Sequence, residues 1–185
     1  MRRFAIFFLT AMSLVLIIVL LVRPNGKNFA ELGVQPRVLT GEAGSLLSPA
    51  KKLASFSLTD SKGQAFTNAE LGGSYTLLFM GFASCAHFCP PTMYKLGLVK
   101  DRLEQHFVDK GYPPIRVLFV SVDPGRDSLE LLDEYINAYG ENFLAVTGDV
   151  AQIDLLVRSL GVTSRVIDAP DEYVVEHSPA VFLID

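Results

Sequence analysis

Apolar residues fall along this chain in runs of different length, and each length predicts a different element. The longest is residues 4–22, FAIFFLTAMSLVLIIVLLV, broken only by Thr10 and Ser13 and free of charge. At ~1.5 Å of rise per residue, such a helix just spans a hydrocarbon core of ~30 Å. Residues 1–23 are therefore expected to form a single transmembrane anchor. Arg2 and Arg3 ahead of it favour a cytoplasmic N-terminus. A cleaved signal peptide is the competing reading, but the run exceeds the usual apolar region of ~7–15 residues and no small-x-small cleavage site follows. Both readings carry the rest of the chain across the membrane. The segment lacks the Arg- and Ser-rich character of a transit peptide, so the expected setting is a bacterial inner membrane with the domain facing the periplasm.

Residues 24–52 scatter Gly, Pro and Ser without sustained periodicity and read as a tether. From residue 53 onward short apolar runs alternate with helical patterns. Phe56-Ser-Leu58 and Gln64-Ala-Phe-Thr67 flank Asp60-Ser-Lys-Gly63, which predicts a β-hairpin turning at Gly63. Residues 75–82 (YTLLFMGF) and 115–122 (IRVLFVSV) are nearly continuous apolar runs, as expected of strands buried on both faces. Between them Met93, Leu96, Val99, Leu103 and Phe107 recur every three or four residues, and Gly111 marks a stop. Asp127-x-x-Glu130 resembles a capping box opening a helix that ends by Gly140. Residues 143–147, 173–176 and 180–184 are further strands, and 150–160 is a helix closed by Gly161. The alternation predicts an α/β layer fold, with a mostly parallel central sheet and helices on both faces. The chain stops at Asp185 directly after an apolar strand, so the domain, 53–185, is expected to lack its C-terminal end.

The 185 residues carry a formal charge of −4, which argues against a nucleic-acid partner, since phosphate neutralisation needs a basic face. Only two cysteines are present. In an exported protein these serve as a structural disulfide, a redox couple or metal ligands. Cys85-Ala-His-Phe-Cys89-Pro90-Pro91 follows a buried strand and opens a helix. Positions i and i+4 of a helix share a face, so both sulfurs can reach one point. A helix N-terminus favours the thiolate, which is both nucleophile and metal ligand, and two prolines are tolerated in a first turn. A disulfide closing so small a loop would add little chain-entropy stabilisation. Paired thiolates are soft donors that suit Cu(I), with Cu(II) or Zn(II) as alternatives. Of the three histidines, His87 reads as an exposed loop residue and His106 as a cation near a helix end. Sequence alone gives His177 no more than a place before a strand.

Four motifs together resemble the Sco/SenC family of copper-binding, thioredoxin-fold proteins that help assemble the dinuclear copper centre of cytochrome c oxidase. They are FxLxDxxG at 56–63, LLFxGFxxCxxxCP ending at Pro90, SVDPxRD at 121–127 and EHSxxxFLID at 176–185. The resemblance implies a thioredoxin-like fold and one copper ion, Cu(I) or Cu(II), held by Cys85, Cys89 and His177. It also makes Asp123, in the Asp-Pro motif, a candidate to support the ligands from behind. The other reading of Asp123 is a turn-former ahead of Pro124-Gly125. Ala86 stands where family members often carry proline.

Two functions follow from the same residues. A copper chaperone would load copper and pass it to the copper-bearing subunit of cytochrome c oxidase or to another copper carrier. It turns over no substrate and is not an enzyme. A membrane-anchored thiol–disulfide oxidoreductase would instead use Cys85 and Cys89 as a catalytic redox pair, with His177 tuning the thiolate. Ala86 and Pro179, two residues beyond His177, keep this second reading open. A peroxiredoxin-like peroxidase ranks third, since Pro-x3-Thr-x2-Cys is absent. A single anchor with an acidic domain reads as a monomer.

Overall fold

The structure, a computed structural model, describes residues 37–41, 44–107, 110–170 and 172–185. The apolar run at 4–22, and with it the expected anchor, lies outside them. Among the described residues no helix is long and apolar enough to cross a membrane. Within the segment read as a tether, β1 (Arg37–Gly41) and β2 (Gly44–Ser48) form an antiparallel pair, Arg37 opposite Ser48.

The main body, which begins at Lys51, is organised on a six-stranded sheet. Its elements in chain order are β3 (Ser57–Asp60), β4 (Ala65–Thr67), α1 (Asn68–Leu71), β5 (Tyr75–Gly81), α2 (Cys89–Phe107), β6 (Ile115–Ser121), α3 (Leu129–Asn137), β7 (Phe143–Thr147), α4 (Val150–Ser159), β8 (Ser164–Ala169), β9 (Glu172–His177) and β10 (Val181–Ile184). The spatial order is β10-β5-β6-β7-β3-β4. β5, β6 and β7 run parallel, with Tyr75 beside Ile115 and Val117 beside Phe143. β10 pairs antiparallel with β5, and β3 antiparallel with both β4 and β7. The sheet is thus mixed rather than mostly parallel. Parallel pairing needs a helical crossover, and only β5-α2-β6 and β6-α3-β7 provide one within the sheet.

Alternation along the central strands sends side chains to two cores, as strand geometry requires. Leu77, Phe79, Val117, Phe119, Phe143 and Ala145 face α2 and α3, against Cys89, Met93, Leu96, Leu132 and Ile136. Leu78, Met80, Leu118, Val120 and Val146 face the other way, against Leu71 of α1 and Ile153, Leu156 and Val157 of α4. Helices therefore cover both faces, as the sequence predicts. The fold is a mixed α/β sandwich of the thioredoxin-like kind.

Three local details depart from expectation. On α2 the buried stripe runs through Met93, Leu96 and Lys100, while Val99 is exposed. At 3.6 residues per turn, position 100 falls nearer the centre of that stripe than 99. Lys100 keeps its charge paired there, with Nζ 2.9 Å from Glu104 Oε2. The N-cap of α3 is Ser128, whose hydroxyl accepts from the Leu131 N–H, and not Asp127. The strand β8 and its antiparallel pairing with β9, Ser164 opposite His177, had no counterpart in the sequence pattern. This two-stranded arm shares no backbone pairing with the six-stranded sheet.

Candidate metal centre

The end of β5 delivers the chain to Gly81, and a turn closed by the Cys85 N–H donating to the Phe82 carbonyl (3.1 Å) presents Cys85. α2 begins only at Cys89, so Cys85 lies in the loop ahead of the helix. The sulfurs are not brought together by a shared helix face, as expected, but by the helix end itself. Pro90 and Pro91 have no N–H to offer in the first turn. The Cys89 N–H is free, and it donates to Cys85 Sγ at 3.4 Å.

The two thiols sit in unlike surroundings. Cys85 is partly exposed and Cys89 is fully buried, and neither forms a disulfide. Partial burial pushes the Cys85 pKa up, but the Cys89 N–H and thiol and the backbone around His87 and Phe88 more than offset it, leaving it below the usual 9.0. Burial pushes Cys89 the other way, to about 12, with the neighbouring Cys85 and Asp127 charges adding to the rise. The low-pKa sulfur is thus the outward one. Gly81 makes room for the buried one: a Cβ there would come within 2.7 Å of Cys89 Sγ and 2.8 Å of Phe119 Cε2.

His177 ends β9, half-buried against the base of this loop. Its ring meets Phe79 edge-on at 6.0 Å and Phe82 at 5.9 Å between centroids. Nδ1 lies 3.1 Å from the Ser178 carbonyl. With its proton on Nδ1 the ring donates there and leaves the Nε2 lone pair free for a ligand, the usual arrangement of a metal-binding imidazole. Among the described residues no three His, Cys, Asp or Glu side chains converge closely enough to hold an ion as they stand. The fold brings the cysteines together and places His177 against the phenylalanine that begins their loop. His87 is exposed in that loop. His106, in the last turn of α2, has its Nε2 3.1 Å from Lys110 Nζ and takes no part in the site.

Asp123 is buried behind the loop. Its Oδ1 accepts from the Tyr173 hydroxyl at 2.6 Å and its Oδ2 from Arg126 Nε at 2.6 Å. It is more than a turn-former: it ties the β6–α3 loop to β9. Asp127, read from sequence as a cap, is buried as well. Its Oδ2 accepts from the Ser121 hydroxyl at 2.6 Å and from the Ala83 N–H at 2.8 Å, two residues ahead of Cys85. Burial, reinforced by the Asp123 charge, raises its pKa above 3.8 despite those two donors. Among the described residues its Oδ1 meets no hydrogen-bond partner. Sequence reading missed Asp127, Arg126, Tyr173 and Gly81. The available signal was membership in the quoted motifs, which hold Gly81, Arg126 and Asp127 but not Tyr173.

Comparison with known proteins decides the family. The SCO1/SenC family model matches residues 45–185. The chain belongs to the SCO1/SenC family. Curated SCO1/SenC relatives include a mitochondrial SCO2 homolog of Bos taurus, 34% identical over 131 residues, 70% of this chain and 48% of that protein. The SCO2-like protein RP587 of Rickettsia prowazekii is 34% identical over 133 residues, 70% of this chain and 62% of that protein. The chain thus spans about half to three-fifths of the length of these relatives. Among solved structures, yeast Sco1 with copper bound superposes with a TM-score of 0.63 at 28% identity, covering 74% of this chain and 75% of that one. ScoI of Bradyrhizobium japonicum with copper bound gives 0.61 at 29% identity, covering 71% of this chain and 82% of that one.

Proposed function

We propose that this chain is a copper carrier which takes one ion on Cys85, Cys89 and His177 and delivers it to the dinuclear copper centre of cytochrome c oxidase, directly or through another carrier. The observation that carries the reading is the asymmetric thiol pair. One sulfur with a lowered pKa is held at a helix start by the N–H of the residue that bears the other. The donor set fits the ion: two thiolates and an imidazole are soft to borderline ligands of the kind Cu(I) accepts. Copper in two family structures of similar fold supports the same assignment. Copper is cargo here, and binding it as a dithiolate complex displaces the thiol protons of Cys85 and Cys89, so uptake strengthens with rising pH. Gly81 and Phe119 fix the buried sulfur, Asp127 holds the loop through the Ala83 N–H, and His177 closes the site from the β8–β9 arm. An N-terminal anchor at 1–23 would hold the domain at the periplasmic face of the inner membrane.

The pKa contrast also favours a second reading, thiol–disulfide exchange. The Cys85 thiolate would attack a partner's disulfide and release one partner thiolate. Cys89 would then displace the second partner sulfur, its proton passing to the departing thiolate. The partner ends as a dithiol and this protein as the Cys85–Cys89 disulfide.

The deciding experiment is titration of the reduced protein with Cu(I) against a chromogenic chelator, alongside His177→Ala. A carrier binds one ion tightly and weakens with the substitution. If both proteins leave the chelator undisturbed yet reduce a model disulfide, the exchange reading replaces the carrier.

A further inference from the structure

The β8–β9 arm that bears His177 is not hydrogen-bonded to the main sheet through its backbone. Its placement therefore rests on side-chain contacts, and the most specific of these lies four residues from His177. Side chains four apart on a strand share a face, so Tyr173 and His177 project from the same side of β9. The Tyr173 hydroxyl donates to Asp123 Oδ1 (2.6 Å), and Arg126 Nε donates to the other carboxylate oxygen (2.6 Å). Asp123 is 1% exposed, so both oxygens need these donors to offset the desolvation of a buried charge. The backbone of Asp123 is held too, its N–H donating to the Ser121 hydroxyl at the end of β6.

Arg126 does a second thing. Its guanidinium lies 3.7 Å from the centroid of the Tyr173 ring and 5.7 Å from that of Phe82. Phe82 is the ring that His177 meets edge-on. One cation thus bridges the arm, through Tyr173, to the residue that starts the cysteine loop.

We infer that Tyr173, Asp123 and Arg126 form a clamp that docks the arm beside the cysteine loop and so sets the approach of His177 to a thiol-bound copper ion. This rests on the copper-carrier reading above. Tyr173 is the fixed point and His177 the tip, about 13 Å along the strand at roughly 3.3 Å per residue. Such a lever holds the imidazole against Phe82, at the start of the cysteine loop, while leaving its tip free to close on the ion. Tyr173 and Arg126 touch no copper in this scheme and are positioning residues.

The test uses the full chain, reduced, in wild type, His177→Ala, Tyr173→Phe and Arg126→Lys, with Cu(I) as the probe of affinity and a separate sample of each loaded with Cu(II) for spectroscopy. Tyr173→Phe removes one hydroxyl and keeps the ring. Arg126→Lys keeps the charge and loses the planar stack. Loss of partners behind a metal ligand weakens affinity by about 10–100-fold, and each variant is expected at the lower end, roughly tenfold. Paramagnetic resonance of the Cu(II) form supplies the readout that a merely structural role would not move. The nitrogen hyperfine pattern should weaken or spread in both variants while the sulfur-to-copper charge-transfer band persists. Wild-type affinity and an unchanged nitrogen pattern in both variants, with His177→Ala impaired, would overturn the clamp and leave the carrier reading standing. Absence of copper binding by wild type itself would overturn the carrier reading, and the clamp with it. If Tyr173→Phe fails to fold, Arg126→Lys decides alone.

Discussion

Cys85 and Cys89 are four residues apart and chemically far apart, because one borders solvent and the other is sealed under Phe119 and Gly81. At neutral pH an alkylating reagent should therefore label Cys85 alone. The labelling rate should rise with pH to a midpoint below 9.0, while Cys89, raised to about 12, stays unmodified until the protein unfolds. Mass spectrometry of peptides after timed iodoacetamide treatment reads this directly, and equal labelling of both would refute the asymmetry. Gly81→Ala tests the packing beneath: its methyl must displace Cys89 Sγ or the Phe119 ring. The expected cost is about 1–3 kcal/mol in denaturant unfolding, typical of overpacking, with weaker copper binding beside it. Asp127 adds a pH dependence. Folding raises its pKa above 3.8, so its favourable contribution is complete below that value and is lost as pH rises through the folded value. Asp127→Asn keeps an acceptor for Ser121 and Ala83 and should flatten that part of the stability curve. Unchanged curvature would mean that the carboxyl is not the source.

At the level of elements, the start of α3 separates two aspartate and serine roles that look alike in sequence. Ser128→Ala should cost about 1 kcal/mol, as loss of a cap does. Asp127→Ala, losing hydrogen bonds to a charged group, should cost about 1.5–3 kcal/mol and loosen the cysteine loop as well. The Asp-x-x-Glu spacing pointed to Asp127 because a cap is a local pattern, whereas a carboxylate turned inward to meet Ser121 and Ala83 depends on tertiary placement. Strands β5, β6 and β7 were legible because both faces are buried and their sequences are nearly continuous apolar runs. β8 was not: Ser164, Arg165, Val166, Ile167, Asp168 and Ala169 are all exposed or half-exposed, so no face of the strand demands a hydrophobic period. Strand direction was also beyond reach, since it depends on which connections cross the sheet. Of the site, the cysteines were legible from spacing, while His177 rested on its motif. Tyr173 was invisible because its value lies in a contact with Asp123, fifty positions away.

For the whole molecule, the proposed division of labour is between an N-terminal anchor and a carrier domain. Removing residues 1–23 should move the protein from the membrane to the soluble fraction of lysed cells, with copper stoichiometry unchanged; fractionation and metal analysis check both halves. The two parts of the site also belong to unequally secured structure. Cys89 is embedded in one core of a sheet whose central strands pair along their length, whereas His177 rides on a two-stranded arm. Amides of β8 and β9 should therefore exchange with solvent deuterium well before those of β5 and β6, by local opening that leaves the sheet intact. In the proposed carrier this gives a low-energy exit: fraying one ribbon would remove the nitrogen ligand and leave the ion for a moment on sulfur alone, open to the next protein's donors.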